Sequence, residues 1–192
     1  MISRIIKDET VRRLRHLIAD AGKIAIICHV GPDGDAVGSS LALAHVLGAL
    51  GKEARCIIPD ATSSLLMQLP EAKELVDACK HPDFARTLLR EADLIFCLDF
   101  NDPKRVDRMA DALLAARASK VMIDHHENPV DFTTIAISQP EMAATCYVLF
   151  RVLCRLELLP YIDSVASTLM LAGILTDTGG FAYNSSDPEL FE

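Results

Sequence analysis

His29-Val30-Gly31-Pro32-Asp33-Gly34-Asp35-Ala36-Val37-Gly38-Ser39 lies between two stretches of different pattern. Before it, Ile24-Ala25-Ile26-Ile27-Cys28 is a short continuous apolar run, as expected of a strand buried on both faces in a parallel sheet. After it, Gly38 to Leu50 is apolar and alanine-rich and reads as a helix, with Gly51 where a helix C-terminal glycine belongs. Gly31, Pro32 and Gly34 make the join a turn. A turn needs polar residues, but not an imidazole and two carboxylates at i, i+4 and i+6. His29, Asp33 and Asp35 therefore read as metal ligands at the end of a strand.

Outward from this stretch the chain alternates. Asp8 to Ala21 predicts a helix, with Val11, Leu14, Leu17 and Ile18 on one face, Arg12, Arg13 and Arg15 on a solvated one, and His16 partly buried. Ala54–Ile58, Leu94–Leu98, Val121–Ile123 and Thr133–Ser138 read as four further strands. Ser64–Lys80 reads as one or two short helices divided near Pro70, and His81–Glu91 as a helix with Pro82 in its first turn. Pro103–Ala118, Met142–Leu158 and Asp163–Leu175 read as helices, and His45 and His81 read as structural. The pattern predicts an α/β fold, a five-stranded parallel sheet flanked by helices with right-handed crossovers. Near the end, Ser186 or Asp187 caps a helix start, with Pro188 in the first turn and Glu189 placed for a capping box. The expectation is one domain over 1–185, with 186–192 opening a linker helix toward a further domain.

With 192 residues, 51% of them hydrophobic, the chain can bury a substantial core. Its 27 acidic and 19 basic side chains give a net charge of −8, which argues against a broad basic surface for duplex nucleic acid. A small phosphorylated substrate remains compatible, because bound cations invert the local sign. The six cysteines form no C-x-x-C pair and read as reduced thiols, several of them inside apolar runs. Charges interrupt the first 23 residues and no apolar run reaches the length of a membrane span. A cytoplasmic protein is expected.

Three predicted strands share a device: each runs apolar and then places Asp or His just beyond. Ile24–Cys28 delivers His29, Leu94–Leu98 delivers Asp99, and Val121–Ile123 delivers Asp124, His125 and His126. A fourth element, Leu169 to Phe181, is an apolar helix ending in Asp177 before Gly179 and Gly180, which permit a close turn. In a parallel sheet the carboxyl ends of strands meet near the switch in strand order, so distant residues converge there. Carboxylates gathered without cations repel one another, and neither Lys nor Arg occurs within these four stretches. Taken as ligands, His29, Asp33, Asp35, Asp99, His125 and Asp177 carry four negative charges, which two divalent cations neutralise. Oxygen and imidazole donors without thiolate favour Mn²⁺, with Mg²⁺ or Co²⁺ acceptable.

Taken in order, H-V-G-P-D-G-D-A-V-G-S, L-D-F-N-D, D-H-H and G-I-L-T-D-T-G-G-F resemble the four motifs of the DHH phosphoesterase superfamily, over about Ile24 to Phe181. The continuation D-F-N-D-P-K-R-V and the ending T-D-T-G-G-F look most like the branch of bifunctional oligoribonucleases (nanoRNases) and pAp phosphatases. The resemblance implies that His29, Asp33 and Asp99 hold one metal and that Asp35, Asp99, His125 and Asp177 hold the other. Asp99 bridges, His126 faces the scissile phosphate, and Asp124 orients the pair. It implies hydrolysis of short RNA oligonucleotides or of the 3′-phosphate of pAp by metal-activated hydroxide attacking phosphorus. Ser39, at the predicted opening of a helix, is a candidate for anion binding. The partner is then a small phosphorylated molecule or a short single strand, with no membrane, and a homodimer is left open. The rival readings are a pyrophosphatase or exopolyphosphatase using the same centre, a regulatory domain that binds nucleotide and metal without turnover, and a metal-free polar cleft. The glycine-rich G-G-G-H substrate motif usual in such enzymes does not occur in these 192 residues. The chain by itself is therefore expected to turn substrate over poorly.

Overall fold

Ile24, Ala25, Ile26 and Ile27 are buried on both faces because their strand lies at the centre of a sheet with helices above and below. The computed structural model describes residues 5–191. Their order is α1 (Asp8–Asp20), β1 (Lys23–Ile27), α2 (Gly34–Ala49), β2 (Glu53–Ile58), β3 (Val76–Asp77), α3 (Pro82–Glu91), β4 (Leu94–Leu98), α4 (Ala110–Ala115), β5 (Ser119–Asp124), β6 (Ile135–Ser138), α5 (Thr145–Arg155) and α6 (Ser164–Asp177). All six strands are parallel, in the order β3-β2-β1-β4-β5-β6. The strand order therefore reverses between β1 and β4, and the crevice beyond their carboxyl ends is where such sheets bind ligands.

Alternation along each strand divides the core into two layers. Ile24, Ile26, Phe96, Leu98 and Ile123 face α1, α2, α5 and α6. Ala25, Ile27, Ile95, Cys97 and Met122 face α3 and α4. Helix α2 shows no amphipathic stripe, since it is covered by the sheet on one side and by α5 and α6 on the other. α6 lies antiparallel on α2 and very near it. A Cβ on Gly38 would fall 2.5 Å from Leu169 O, and one on Gly34 would fall 2.5 Å from the Thr176 side chain. That approach sets the first turn of α2 beside the last turn of α6.

Several elements differ from the sequence reading, each for a local reason. The sheet has six strands, because Val76-Asp77 pairs with β2 inside the segment expected to be helical. Two residues are too short a run to carry a period. α2 starts at Gly34, four residues before the expected Gly38, because Asp33 caps it through Oδ1, accepting from Asp35 N and Ala36 N at 3.0 Å each. Pro103–Met109 is a 3₁₀ stretch kinked at Asp107 (φ 43°, ψ −117°), so only Ala110–Ala115 is α-helical there. The fifth predicted strand starts at Ile135 and not at Thr133, and His16 is exposed. Asp187 caps Pro188–Phe191 by accepting from Glu189 N at 3.0 Å, and the Glu189 carboxylate reaches Arg151 (2.9 Å). Of the segments 1–185 and 186–192, residues 1–4 and 192 lie outside those described. The cysteines are all unpaired, and no helix among the described residues is long and apolar enough to cross a membrane.

Candidate metal centre

β1 and β4 end side by side, and the chain leaves them in different ways. After β1, His29 turns its ring inward and is 6% exposed. After β4, Asp99 takes a left-handed φ of 63° while its N–H donates to Ile123 O. A side chain held there costs about 1 kcal/mol or more and persists only where the surroundings over-determine it, as they do here. Asp99 Oδ2 lies 3.3 Å from His29 Nε2, and Asp99 Oδ1 lies 3.6 Å from His125 Nε2. Its two oxygens thus face two different imidazoles.

Around Asp99 the ligand atoms form three overlapping groups: His29, Asp33 and Asp99; Asp35, His125 and Asp177; and Asp99, His125 and His126. Within each group all atoms lie within 4.8 Å of one another. Asp33 divides its carboxylate, with Oδ1 on the helix cap and Oδ2 3.9 Å from His29 Nε2. Asp177, the last residue of α6, places Oδ2 3.2 Å from His125 Nε2, and Asp35 Oδ2 lies 4.0 Å from the same nitrogen. All six expected ligands, together with His126, therefore meet at one place. Beyond Asp177 the chain turns through Gly179 and Gly180, both at positive φ, and Gly179 leaves room for the ring of Tyr183.

The donor set suits a divalent cation. His29 spends Nδ1–H on Val30 O (2.7 Å) and His125 spends Nδ1–H on Met142 O (3.2 Å), so Nε2 is the free donor atom in both rings. An ion about 2.0–2.3 Å from each ligand needs donor atoms no further apart than about twice that. Among the described residues no Lys or Arg pairs with Asp33, Asp35, Asp99 or Asp177, whose ion-pair partners are imidazoles. Without a cation the imidazoles must compensate. Although burial works against its charge, Asp177, Asp99 and Asp35 push His125 up to about 9. His29 is raised in the same manner by Asp99, against its own burial. Burial, with Asp99 and Asp177 adding to it, drives Asp35 well above the usual carboxylate range. Asp99 is held below that range because His29, His125 and His126 outweigh its burial.

Asp124 is fully buried and grips His126 twice, accepting Nδ1–H at Oδ1 (2.7 Å) and the backbone N–H at Oδ2 (3.0 Å). Nε2 of His126 is left for another partner. Ser39 does not reach the crevice. With α2 starting at Gly34, Ser39 sits in the second turn, fully buried, its N–H inside the helical ladder and its Oγ on Ala36 O. Its assignment to anion binding is corrected accordingly. The sequence reading also missed Thr145 and Cys146, which open α5 and hold Asp35 and Asp99. A hydroxyl residue at a helix start is the one available signal, and it was hidden because the helix was expected to begin at Met142.

Residues 23–174 match the profile described as the DHH family, N-terminal domain. The chain belongs to the DHH family. It is 34% identical over 174 residues to the bifunctional oligoribonuclease and PAP phosphatase NrnA of Thermus thermophilus, a match spanning 91% of this chain and 49% of that protein. It is 28% identical over 176 residues to the cyclic-di-AMP phosphodiesterase GdpP of Geobacillus thermodenitrificans, spanning 88% of this chain and 26% of that one. The solved structure of an exopolyphosphatase-related protein from Bacteroides fragilis superposes with a TM-score of 0.98 at 39% identity, covering 99% of this chain and 56% of that one. The chain thus spans about half or less of the length of the relatives it matches. Its place in the superfamily is near the nanoRNase branch.

Proposed function

We propose that this DHH domain is a two-cation phosphohydrolase acting on short RNA oligonucleotides or on pAp. The observation that carries the proposal is the division of Asp99, one oxygen toward His29 and Asp33 and the other toward His125, at the switch point of the sheet. His29, Asp33 and Asp99 would hold one ion; Asp35, Asp99, His125 and Asp177 would hold the other. Two divalent cations bound there, Mn²⁺ by the donor chemistry, would supply Lewis acidity, which would lower the pKa of water and offset charge on phosphate oxygens. His126, held by Asp124, presents Nε2 to the phosphate or to the leaving oxygen. Asp35 and Asp99 keep their places through hydrogen bonds from α5, so little rearrangement is required when substrate arrives. The greater length of the relatives supports a further unit that grips the rest of the substrate, with residues 1–185 as the catalytic unit.

Asp99→Ala and His125→Ala test the centre. Wild type should take up two Mn²⁺ per chain by calorimetry, and each variant should lose at least one along with Mn²⁺-dependent hydrolysis. Near wild-type uptake and turnover in either variant would overturn the assignment. A second reading, polyphosphate or pyrophosphate hydrolysis, is favoured by the solved exopolyphosphatase-related neighbour. Parallel assays on a diribonucleotide, pAp, cyclic-di-AMP, pyrophosphate and polyphosphate decide between the two.

A further inference from the structure

Thr145 touches both halves of the carboxylate cluster and has no part in the ligand set. It is fully buried at the first position of α5. Its Oγ1–H donates to Asp99 Oδ1 at 2.9 Å, and its backbone N–H donates to Asp35 Oδ2. The next N–H, that of Cys146, donates to Asp35 Oδ1 at 2.8 Å. These two contacts to Asp35 come from backbone groups that have no partner within their own helix. Any residue at 145 except proline supplies the first of them. The contact to Asp99 is of another kind, because it comes from the side chain alone.

Asp99 is the residue on which the division of the centre depends, since Oδ2 faces His29 and Oδ1 faces His125. The terminal torsion of an aspartate is broad and two-fold, so covalent geometry does not fix the plane of its carboxylate. His126 Nδ1 is 3.8 Å from the same Oδ1 and is already spent on Asp124. The hydroxyl proton of Thr145 occupies one lone pair of Oδ1 and leaves the other for a cation. We propose that Thr145 is a positioning residue: it locks the carboxylate plane of Asp99 so that one oxygen serves each of two cations. This rests on the two-cation reading and adds to it the element that makes Asp99 a bridge.

The test uses the intact chain. Thr145→Val removes the hydroxyl while keeping the shape and the backbone N–H, and Thr145→Ser keeps the hydroxyl. Each protein is titrated with Mn²⁺ by calorimetry, and its Mn²⁺ paramagnetic resonance spectrum is recorded at two equivalents. Wild type and Thr145→Ser should bind two ions and give the spectrum of an exchange-coupled pair. Thr145→Val should lose about 10- to 100-fold in affinity for one ion, the usual cost of removing a partner behind a ligand, and lose the coupling. Wild-type affinity and coupling in Thr145→Val would overturn the role of Thr145 while the two-cation reading stood. Absence of a coupled pair in wild type would remove both. If Thr145→Val does not fold, Thr145→Ala takes its place. Loss in the alanine variant with recovery in the serine variant supports the proposal, and equal loss in both assigns the effect to packing and overturns it.

Discussion

Gly173→Ala asks whether the closeness of α6 to α2 sets the metal centre. A Cβ at Gly173 would lie 2.4 Å from Cys146 Sγ, 2.8 Å from Asp35 Oδ1 and 3.0 Å from Asp35 Cα, where ordinary contact begins at 3.4 Å. Relief therefore takes about 1.0 Å at the sulfur, the difference between 3.4 and 2.4 Å, and about 0.6 Å at the carboxylate. Neither neighbour swings aside easily. Cys146 is fully buried, and Asp35 is held at both oxygens by the start of α5. Either α6 shifts, carrying Asp177 with it, or Asp35 leaves its donors. Overpacking of this kind costs ~1–3 kcal/mol, against a gain of ~1 kcal/mol for alanine over glycine within a helix. The net is a loss of roughly 0–2 kcal/mol, or a fall in Tm of up to about 8 °C for a chain of this size. The effect on the centre should be larger, because a displacement of about 1 Å at a reacting geometry costs on the order of 100-fold. Mn²⁺ affinity by calorimetry should fall at least about tenfold. Gly48→Ala is the control: Gly48 lies on α2 with nothing within 4 Å of its Cβ position. That substitution should stabilise by ~0.5–1 kcal/mol and leave Mn²⁺ binding unchanged. If Gly173→Ala bound Mn²⁺ as wild type does, helix contact would not constrain the ligands and the reasoning would fail.

Asp124→Asn keeps the shape but replaces one of the two oxygens that receive His126 with an N–H group, so kcat should fall about 10- to 100-fold while Mn²⁺ uptake stays within a few-fold; equal losses in both would show that Asp124 acts on the ligands and not through His126. His45 gives the pH test, since it donates Nδ1–H to Glu71 (2.7 Å) and Nε2–H to Asp163 (3.1 Å), which requires the imidazolium. Its burial opposes the charge, but Glu71 and Asp163 together raise it above its ordinary 6.5. The stability it adds is thus complete below the ordinary value and lost as pH rises through the raised folded one. The Tm advantage of wild type over His45→Gln should shrink across that window, and parallel profiles would refute the link.

The strands and the acidic and histidine residues at their ends were legible together, because one device produced both. Ile24–Cys28, Leu94–Leu98 and Val121–Ile123 are apolar on both faces and each is followed by Asp or His, so the run that predicted a strand also predicted where its polar end would lie. Three of the strands were buried enough to read without ambiguity. β3 was not, since Val76-Asp77 owes its conformation to pairing with Ile57 and Ile58 and not to its own two residues. The start of α2 was obscured for a different reason. Gly34 and Asp35 look like turn residues, yet Asp33 serves at once as helix cap and as a carboxylate facing His29. A cap immediately upstream of a ligand places Asp35 in the first helical turn, where it reaches α5.

What remained hidden is the hydrogen bonding that holds the ligands in place. The candidate ligands announce themselves because few residue types can hold a metal and because four carboxylates gather there without Lys or Arg. The groups that fix Asp35 are backbone N–H groups, which nearly every residue carries and no sequence marks. They are selected by where α5 begins and by how near α6 and α2 approach, and that approach depends on Gly34, Gly38 and Gly173 having no Cβ. The glycines are visible in the chain, but nothing local distinguishes a glycine that admits a neighbouring helix from Gly48, which admits nothing. Thr145 lies between these cases. Its hydroxyl is a side-chain signal, but it is informative only once the start of α5 is known to meet the ends of β1 and β4. The candidate donor set follows from side-chain chemistry, whereas its placement follows from the packing of three helices, and only the first can be read along the chain.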